Sequence, residues 1–225
     1  DLGGATRLFT INSPVTISGV VGNGGISKNG SATLTLSTSN SYTGPTTIYA
    51  GILQLGDGGG SGSVDVASTV AIGPTGVLQY NRTNNLGSFP NTIIGTGTLI
   101  KTNTGELGLT GTNSFSGTLE IQQGNIALSG AACANGRPSV KLGPNGTLSI
   151  GAGFVGGTAV IGNLNGAGRI DPAYDQGAGT RTLQVNQNSE GVFSGPMLDA
   201  TSGRELGFIK GGVARLTLSG TNTYT

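Results

Sequence analysis

The sequence predicts an all-β solenoid, a chain wound into short strands that stack coil upon coil, and three observations carry that prediction. The stretch Thr33 to Gly56 recurs without a gap from Glu106 to Ser129, and a third copy begins at Arg215. Leucines alternate with hydroxyl residues within each copy, as in Leu34 and Leu36 between Thr33, Thr35 and Ser37, a period of two that sets one face of a strand inward. Glycine, 44 of the 225 residues, interrupts nearly every window in which a helix could form. A repeating chain whose units need their neighbours counts as one domain, and residues 1–225 are read as one, with repeats at about 7–56, 82–129 and 181–225.

The first strands are expected where Leu8, Phe9 and Ile11, then Val15 and Ile17, form short runs broken at Asn12 to Pro14 and at Gly19. The two full copies then share Leu34 and Leu107, Leu36 and Leu109, Asn40 and Asn113, Gly44 and Gly117, and Gly51 and Gly124. Glycine followed by alternating apolar residues recurs at Gly51, Gly76, Gly105, Gly124 and Gly146. Glycine tolerates the positive φ of a sharp corner, so each is read as a bend feeding a strand. The offset of 73 residues between copies (107 − 34) holds about three coils of 20 to 30 residues. Residues 151–179, where Asp171, Pro172, Tyr174, Asp175 and Gln176 break the pattern, are the expected place of an irregular insertion. An antiparallel β-sandwich is the alternative fold.

Several function classes are excluded by composition. A net charge of +1 with 5% aromatic residues supplies neither a phosphate-binding stripe nor stacking platforms, so no nucleic-acid partner is expected. The longest apolar runs fall far short of the roughly 20 residues of a membrane-spanning helix, so no membrane insertion of this segment is expected. Cys133 stands alone, which precludes an internal disulfide, and no metal-ligand spacing or cofactor motif surrounds it. The start at Asp1 has no signal peptide, consistent with a mature or excised segment.

The remaining residues are weighed as sites. Arg169, Asp171, Asp175 and Arg181 are the best local supply for acid-base chemistry on a polysaccharide, yet with no histidine and few acids they read as a solvated loop, and no catalytic residue is assigned. Asp57 and Asp65 beside the glycines at 56–60 lack the regular repetition of a calcium site and read as turns. Threonine pairs such as Thr33 and Thr35 or Thr110 and Thr112 read as ordinary outward strand residues. Asn40, Asn113 and Asn222 share one register and are read as corner residues that bond their own backbone and accept left-handed φ. Lys28, Lys101 and Lys210, each six positions before Leu34, Leu107 and Leu216, are read as solvent-facing charges that discourage sideways pairing of strands. Tyr42, Phe115 and Tyr224 are read as a packing position repeated in each unit.

The string Lys28, Gly30, Leu34, Leu36, Asn40, Tyr42, Thr43, Gly44, Thr46, Gly51, Leu53 and Leu55 resembles the autotransporter-associated β-strand repeat of bacterial surface passengers. Lys210, Leu216, Leu218, Gly220, Asn222 and Tyr224 resemble it again. The resemblance implies a right-handed parallel β-helix, export to the cell surface or medium, and a non-catalytic role as stalk, adhesin or surface structure. The segment holds no translocating barrel, so self-secretion is not implied. Neither end has the composition of a solenoid cap, and end-to-end stacking of protomers into a filament is therefore expected. An excised passenger segment that contacts a glycan or a neighbouring cell surface is the alternative, and a polysaccharide-acting enzyme the second.

Overall fold

Inward leucines and outward hydroxyls sort themselves onto the two sides of a coil that passes through three faces before it meets itself. The computed structural model describes residues 1–129, 136–154, 156–172, 177–200 and 203–224. Every strand pairing in its ladders is parallel, and the strands stack as a solenoid of about nine turns. A 3-10 turn, Ala152–Phe154, accompanies them.

The first face is built by Thr6–Thr10, Gly25–Asn29, the opening residues of Thr46–Leu55 and Val70–Asn81, and Ile93–Gly95. Thr158–Ile161, Gly179–Asn186 and Arg204–Gly211 take the same place in the later coils. The second face is one continuous ladder. It starts at Val15–Ile17 and Thr33–Leu36, continues through the later residues of Thr46–Leu55 and Val70–Asn81, and reaches Thr98–Thr102. From there it runs through the openings of Thr118–Leu128 and Ser139–Ile150 to Leu164–Gly166, Gly191–Phe193 and Leu216–Leu218. The third face stacks Leu86–Phe89, Glu106–Leu109, the later residues of Thr118–Leu128 and Ser139–Ile150, and Arg169–Pro172. Three strands of residues 151–179 thus belong to the stack; Tyr174, Asp175 and Gln176, like Cys133, lie outside the described residues.

The interior is filled. Leu34, Leu36, Leu53, Leu55, Leu78, Leu107, Leu109, Ile126, Leu128, Leu148 and Ile150 are all buried, and Leu216 and Leu218 in the last coil are half-buried. Each such side chain contributes about 1.5 to 3 kcal/mol relative to an exposed one, which is how strands of three to five residues persist.

Two expectations about the corners change. Gly51, Gly76, Gly124 and Gly146 do not precede strands; they lie inside Thr46–Leu55, Val70–Asn81, Thr118–Leu128 and Ser139–Ile150, which bend from one face to the next without a break. A register shift between Ile48 and Ala50, and another between Ile121 and Gln123, supplies the extra residue that such a bend requires. Of these glycines only Gly51 (φ 68°) and Gly124 (φ 78°) have positive φ.

The repeat does not coincide with the coil. Leu34 stands beside Leu53, Leu53 beside Leu78 and Leu78 beside Leu99. Three coils therefore lead from Leu34 to Leu99, and Leu107 lies one face farther on. Lys28 of the first copy occupies the first face and Leu34 the second, whereas Lys101 occupies the second and Leu107 the third. The first and second copies are turned relative to one another by one face, so their equivalent residues do not line up along the axis.

A polar groove on the third face as candidate binding site

Buried cations hold several of the turns between faces. A bending chain leaves carbonyls that cannot all reach the adjacent coil, and a buried carbonyl needs a donor. Lys28 is fully buried, its Nζ donating to the carbonyls of Asn29 (3.0 Å), Gly30 (2.8 Å) and Ala50 (2.9 Å). Lys101, also fully buried, donates to Thr102 O and Asn103 O, both at 2.6 Å. The solvent-facing role expected for these two lysines is therefore wrong: the corner carbonyls draw the ammonium inward. Lys210 makes the same two bonds, to Gly211 O and Gly212 O, in the last coil, where it is exposed. Burial lowers the pKa of Lys28 and brings that of Lys101 down to about 8. Arg82 acts alike on the glycine-rich turn, donating to Gly60 O (2.6 Å) and Gly62 O (3.0 Å).

The asparagine register also differs from expectation. Among the described residues the non-glycine positions with positive φ are Asn23, Asn103 and Arg137, so Asn40, Asn113 and Asn222 do not use the left-handed region. Asn40 instead ties three coils together: Oδ1 accepts Val21 N–H (2.9 Å), while Nδ2 donates to Ser63 O (2.8 Å) and to Thr38 O (2.9 Å) of its own corner. Asn113 accepts from Ile93 N–H and Asn222 from Met197 N–H. Replacing Asn40 by alanine is expected to cost about 1 to 3 kcal/mol, because the buried N–H of Val21 loses its acceptor, while the carbonyls of Ser63 and Thr38 lose one donor each and keep a main-chain donor. Asn222→Ala in the exposed last coil should cost about 1 kcal/mol or less. Urea unfolding of the two variants side by side checks the ordering. Tyr42 is fully buried and shares a hydrogen bond with Thr46 Oγ1 (2.9 Å), Phe115 is buried, and Tyr224 packs on Phe208 with ring centres 5.5 Å apart.

Outside this frame, the third face carries a groove of about 500 Å³. Its floor is set by register: Glu106 stands beside Asn125, Asn125 beside Thr147 and Thr147 beside Arg169, while Ser149 stands beside Asp171. Asp199 and Arg204 complete the lining at one end. Polar contacts run along the floor. Asn125 Nδ2 donates to Glu106 Oε2 (2.9 Å), Ser149 Oγ lies 3.0 Å from Asn125 Oδ1 and 2.7 Å from Asp171 Oδ1, and Arg169 Nε is 2.6 Å from Asp171 Oδ2.

Of the four residues considered for acid-base work, Arg169 and Asp171 are brought together here. Arg181 is not; it is buried on the first face with its guanidinium on Gly177 O and Gly179 O. Asp175 lies outside the described residues. Glu106, Asn125, Thr147, Ser149, Asp199 and Arg204 were missed, and their only signal is recurrence at one coil length. Asp57 and Asp65 each accept a main-chain N–H two residues on, as turn residues do. No group of three His, Cys, Asp or Glu able to hold a metal stands together among the described residues.

The Passenger-associated-transport-repeat matches residues 26–55, 99–128 and 208–225. Among curated proteins the chain is similar to the "Adhesin BmaC autotransporter" of Brucella suis biovar 1 (strain 1330), with 31% identity over 252 aligned positions that take in 98% of this chain. The chain spans about 7% of that relative's length. No solved structure matches it. Each matched segment opens within a strand whose next-to-last residue is a corner lysine and continues to the leucines of the following face, and the chain is thus a β-solenoid that carries three copies of the passenger-associated transport repeat, the third of them partial.

Proposed function

We propose that the chain is a non-catalytic stretch of an exported, surface-displayed passenger, and that it serves as an adhesive stalk whose outer faces make its contacts. The observation that carries this reading is the state of the groove acids. Asp171 is held by Arg169 and Ser149, Glu106 accepts the Asn125 amide and Asp199 accepts Leu206 N–H, so all three carboxylates of the groove serve as hydrogen-bond acceptors within its walls. General acid-base work needs a carboxyl poised to give or take a proton at the substrate. The similarity to an adhesin and the filled solenoid interior support the same reading.

The test is adhesion. Beads coated with the 225-residue chain are expected to attach to cell layers above the level of beads coated with an unrelated β-solenoid, and no new reducing ends should appear when the chain is incubated with polysaccharides. Attachment at the control level, or release of reducing ends, would overturn it.

Stacking of separate copies into a filament is the second reading, favoured by the strands Thr6–Thr10 and Leu216–Leu218, each of which pairs on one side only among the described residues. Sedimentation velocity at rising concentration separates the two. Polymers that lengthen with concentration favour the filament, and monomers throughout remove it.

A further inference from the structure

We infer that the third-face groove binds an extended, hydroxyl-rich and uncharged polymer, a linear glycan lying along the solenoid axis. The inference rests on the reading of the outer faces as binding surfaces and names what one of them takes.

Three features of the groove select this chemistry. The floor side chains Asn125, Thr147 and Ser149 are short and offer both donors and acceptors, as sugar hydroxyls require. Asn125 has one amide hydrogen engaged at Glu106 and its oxygen at Ser149, so a second hydrogen and a second lone pair remain, and the Thr147 hydroxyl makes no hydrogen bond among the described residues. Charge is nearly balanced, with Glu106, Asp171 and Asp199 against Arg169 and Arg204; a polyanion would meet the surplus carboxylate and a polycation the two guanidinium groups. The lining has no aromatic ring, and Pro172 and Ala200 are its only apolar residues among those described, so a hydrophobic peptide finds no large apolar side chain to bury against.

Periodicity fixes the orientation. Glu106, Asn125, Thr147 and Arg169 come from four successive coils, spaced by about 4.8 Å as neighbouring strands are. That step is close to the length of one pyranose in an extended chain, so each coil meets one sugar, and the polymer runs across the strands.

The experiment titrates the 225-residue chain with neutral linear oligosaccharides, the cello-, manno- and chito- series from disaccharide to pentasaccharide, and with oligogalacturonate as a charged comparison. Affinity for at least one neutral series should rise from disaccharide to tetrasaccharide and level off, and oligogalacturonate should bind more weakly. Thr147→Trp fills the middle of the groove while leaving every floor hydrogen bond in place, and should weaken binding at least about tenfold with an unchanged circular dichroism spectrum and urea midpoint. Asn125→Ala should also weaken it, whereas Gln54→Ala on the second face should not. Absence of binding across all neutral series, or equal binding by Thr147→Trp and the parent, would overturn the inference. Bead adhesion distinguishes the two levels: adhesion that persists in Thr147→Trp leaves the adhesive reading standing and removes the groove from it, and adhesion absent from the parent removes the adhesive reading itself.

Discussion

Gly51→Ala and Gly124→Ala are each expected to cost about 3 to 5 kcal/mol. Both glycines sit at a bend within a continuous strand, with φ of 68° and 78°, a region in which an L side chain costs about 1 to 2 kcal/mol by itself. A Cβ on Gly51 would also strike the carbonyl of Gly30 and come within 2.8 Å of Lys28 Nζ and 2.9 Å of Ala32 O. On Gly124 it would strike Asn103 O and come within 2.5 Å of Gly105 O and 2.9 Å of Lys101 Nζ. The atoms in the way are those of the lysine clamp, so the methyl cannot be accommodated without loosening the hydrogen bonds that close the corner. Gly156 provides the comparison. Its φ is 67° but an added Cβ meets nothing within 4 Å, and Gly156→Ala should cost only the backbone part, about 1 to 2 kcal/mol. Equilibrium urea unfolding of the three variants checks the difference; equal losses at Gly51 and Gly156 would mean that backbone strain, not the clamp, makes the glycine necessary.

The contrast between what the sequence reveals here and what it hides follows from distance along the chain. Leucine alternation is a local signal, and Leu34, Leu36, Leu53 and Leu55 turn inward as their period of two requires. The buried lysines were misjudged because lysine is rarely fully buried, although the same local signal was present: Lys28 is two residues from Ile26 and Lys101 two from Leu99, which puts each in phase with the core. The groove is a different case. Its floor residues are about one coil apart, and coils vary, with Leu34 to Leu53 spanning 19 residues and Leu53 to Leu78 spanning 25. An uncertainty of a few residues per coil moves a side chain to another column or to the opposite side of the strand, so adjacency between Glu106 and Asn125 could not be read without the register. Only Arg169 and Asp171, two residues apart in one strand, were visible as a pair. The turn between successive copies of the repeat was hidden for the same reason: 73 residues look like three coils until the coils are measured, and the eight residues from Leu99 to Leu107 carry the second copy onto the next face.

Lys101→Ala is expected to destabilise the chain by about 3 to 5 kcal/mol, through a cavity where the four-carbon stem packed and two corner carbonyls left without a donor. Lys101→Met retains most of the stem and should cost about 1 to 3 kcal/mol, the part that belongs to the carbonyls of Thr102 and Asn103. A pH series separates this clamp from mere packing. Burial places the folded-state pKa of Lys101 at about 8, below its ordinary value of 10.5, so between these values the unfolded chain holds a proton that the folded chain has released. Stability therefore rises as pH increases through that window and is flat below it, where both states are protonated. The clamp survives the loss of charge, since a neutral amine still has two hydrogens for its two carbonyls. Lys28, lowered in the same direction by burial, adds to the rise. Two tyrosines oppose it at the upper end: burial raises the phenol of Tyr80 to about 12, against the pull of Arg82, and that of Tyr42 further. Both stay protonated in the folded chain while they ionise in the unfolded one, so stability falls again above about pH 10. Urea midpoints of the parent chain should accordingly climb from pH 8 toward 10 and then decline, and in Lys101→Met the climb should shrink to the part supplied by Lys28 while the decline remains. An unaltered climb in Lys101→Met would show that the proton released on folding comes from another group and that the Lys101 ammonium is not desolvated at its corner.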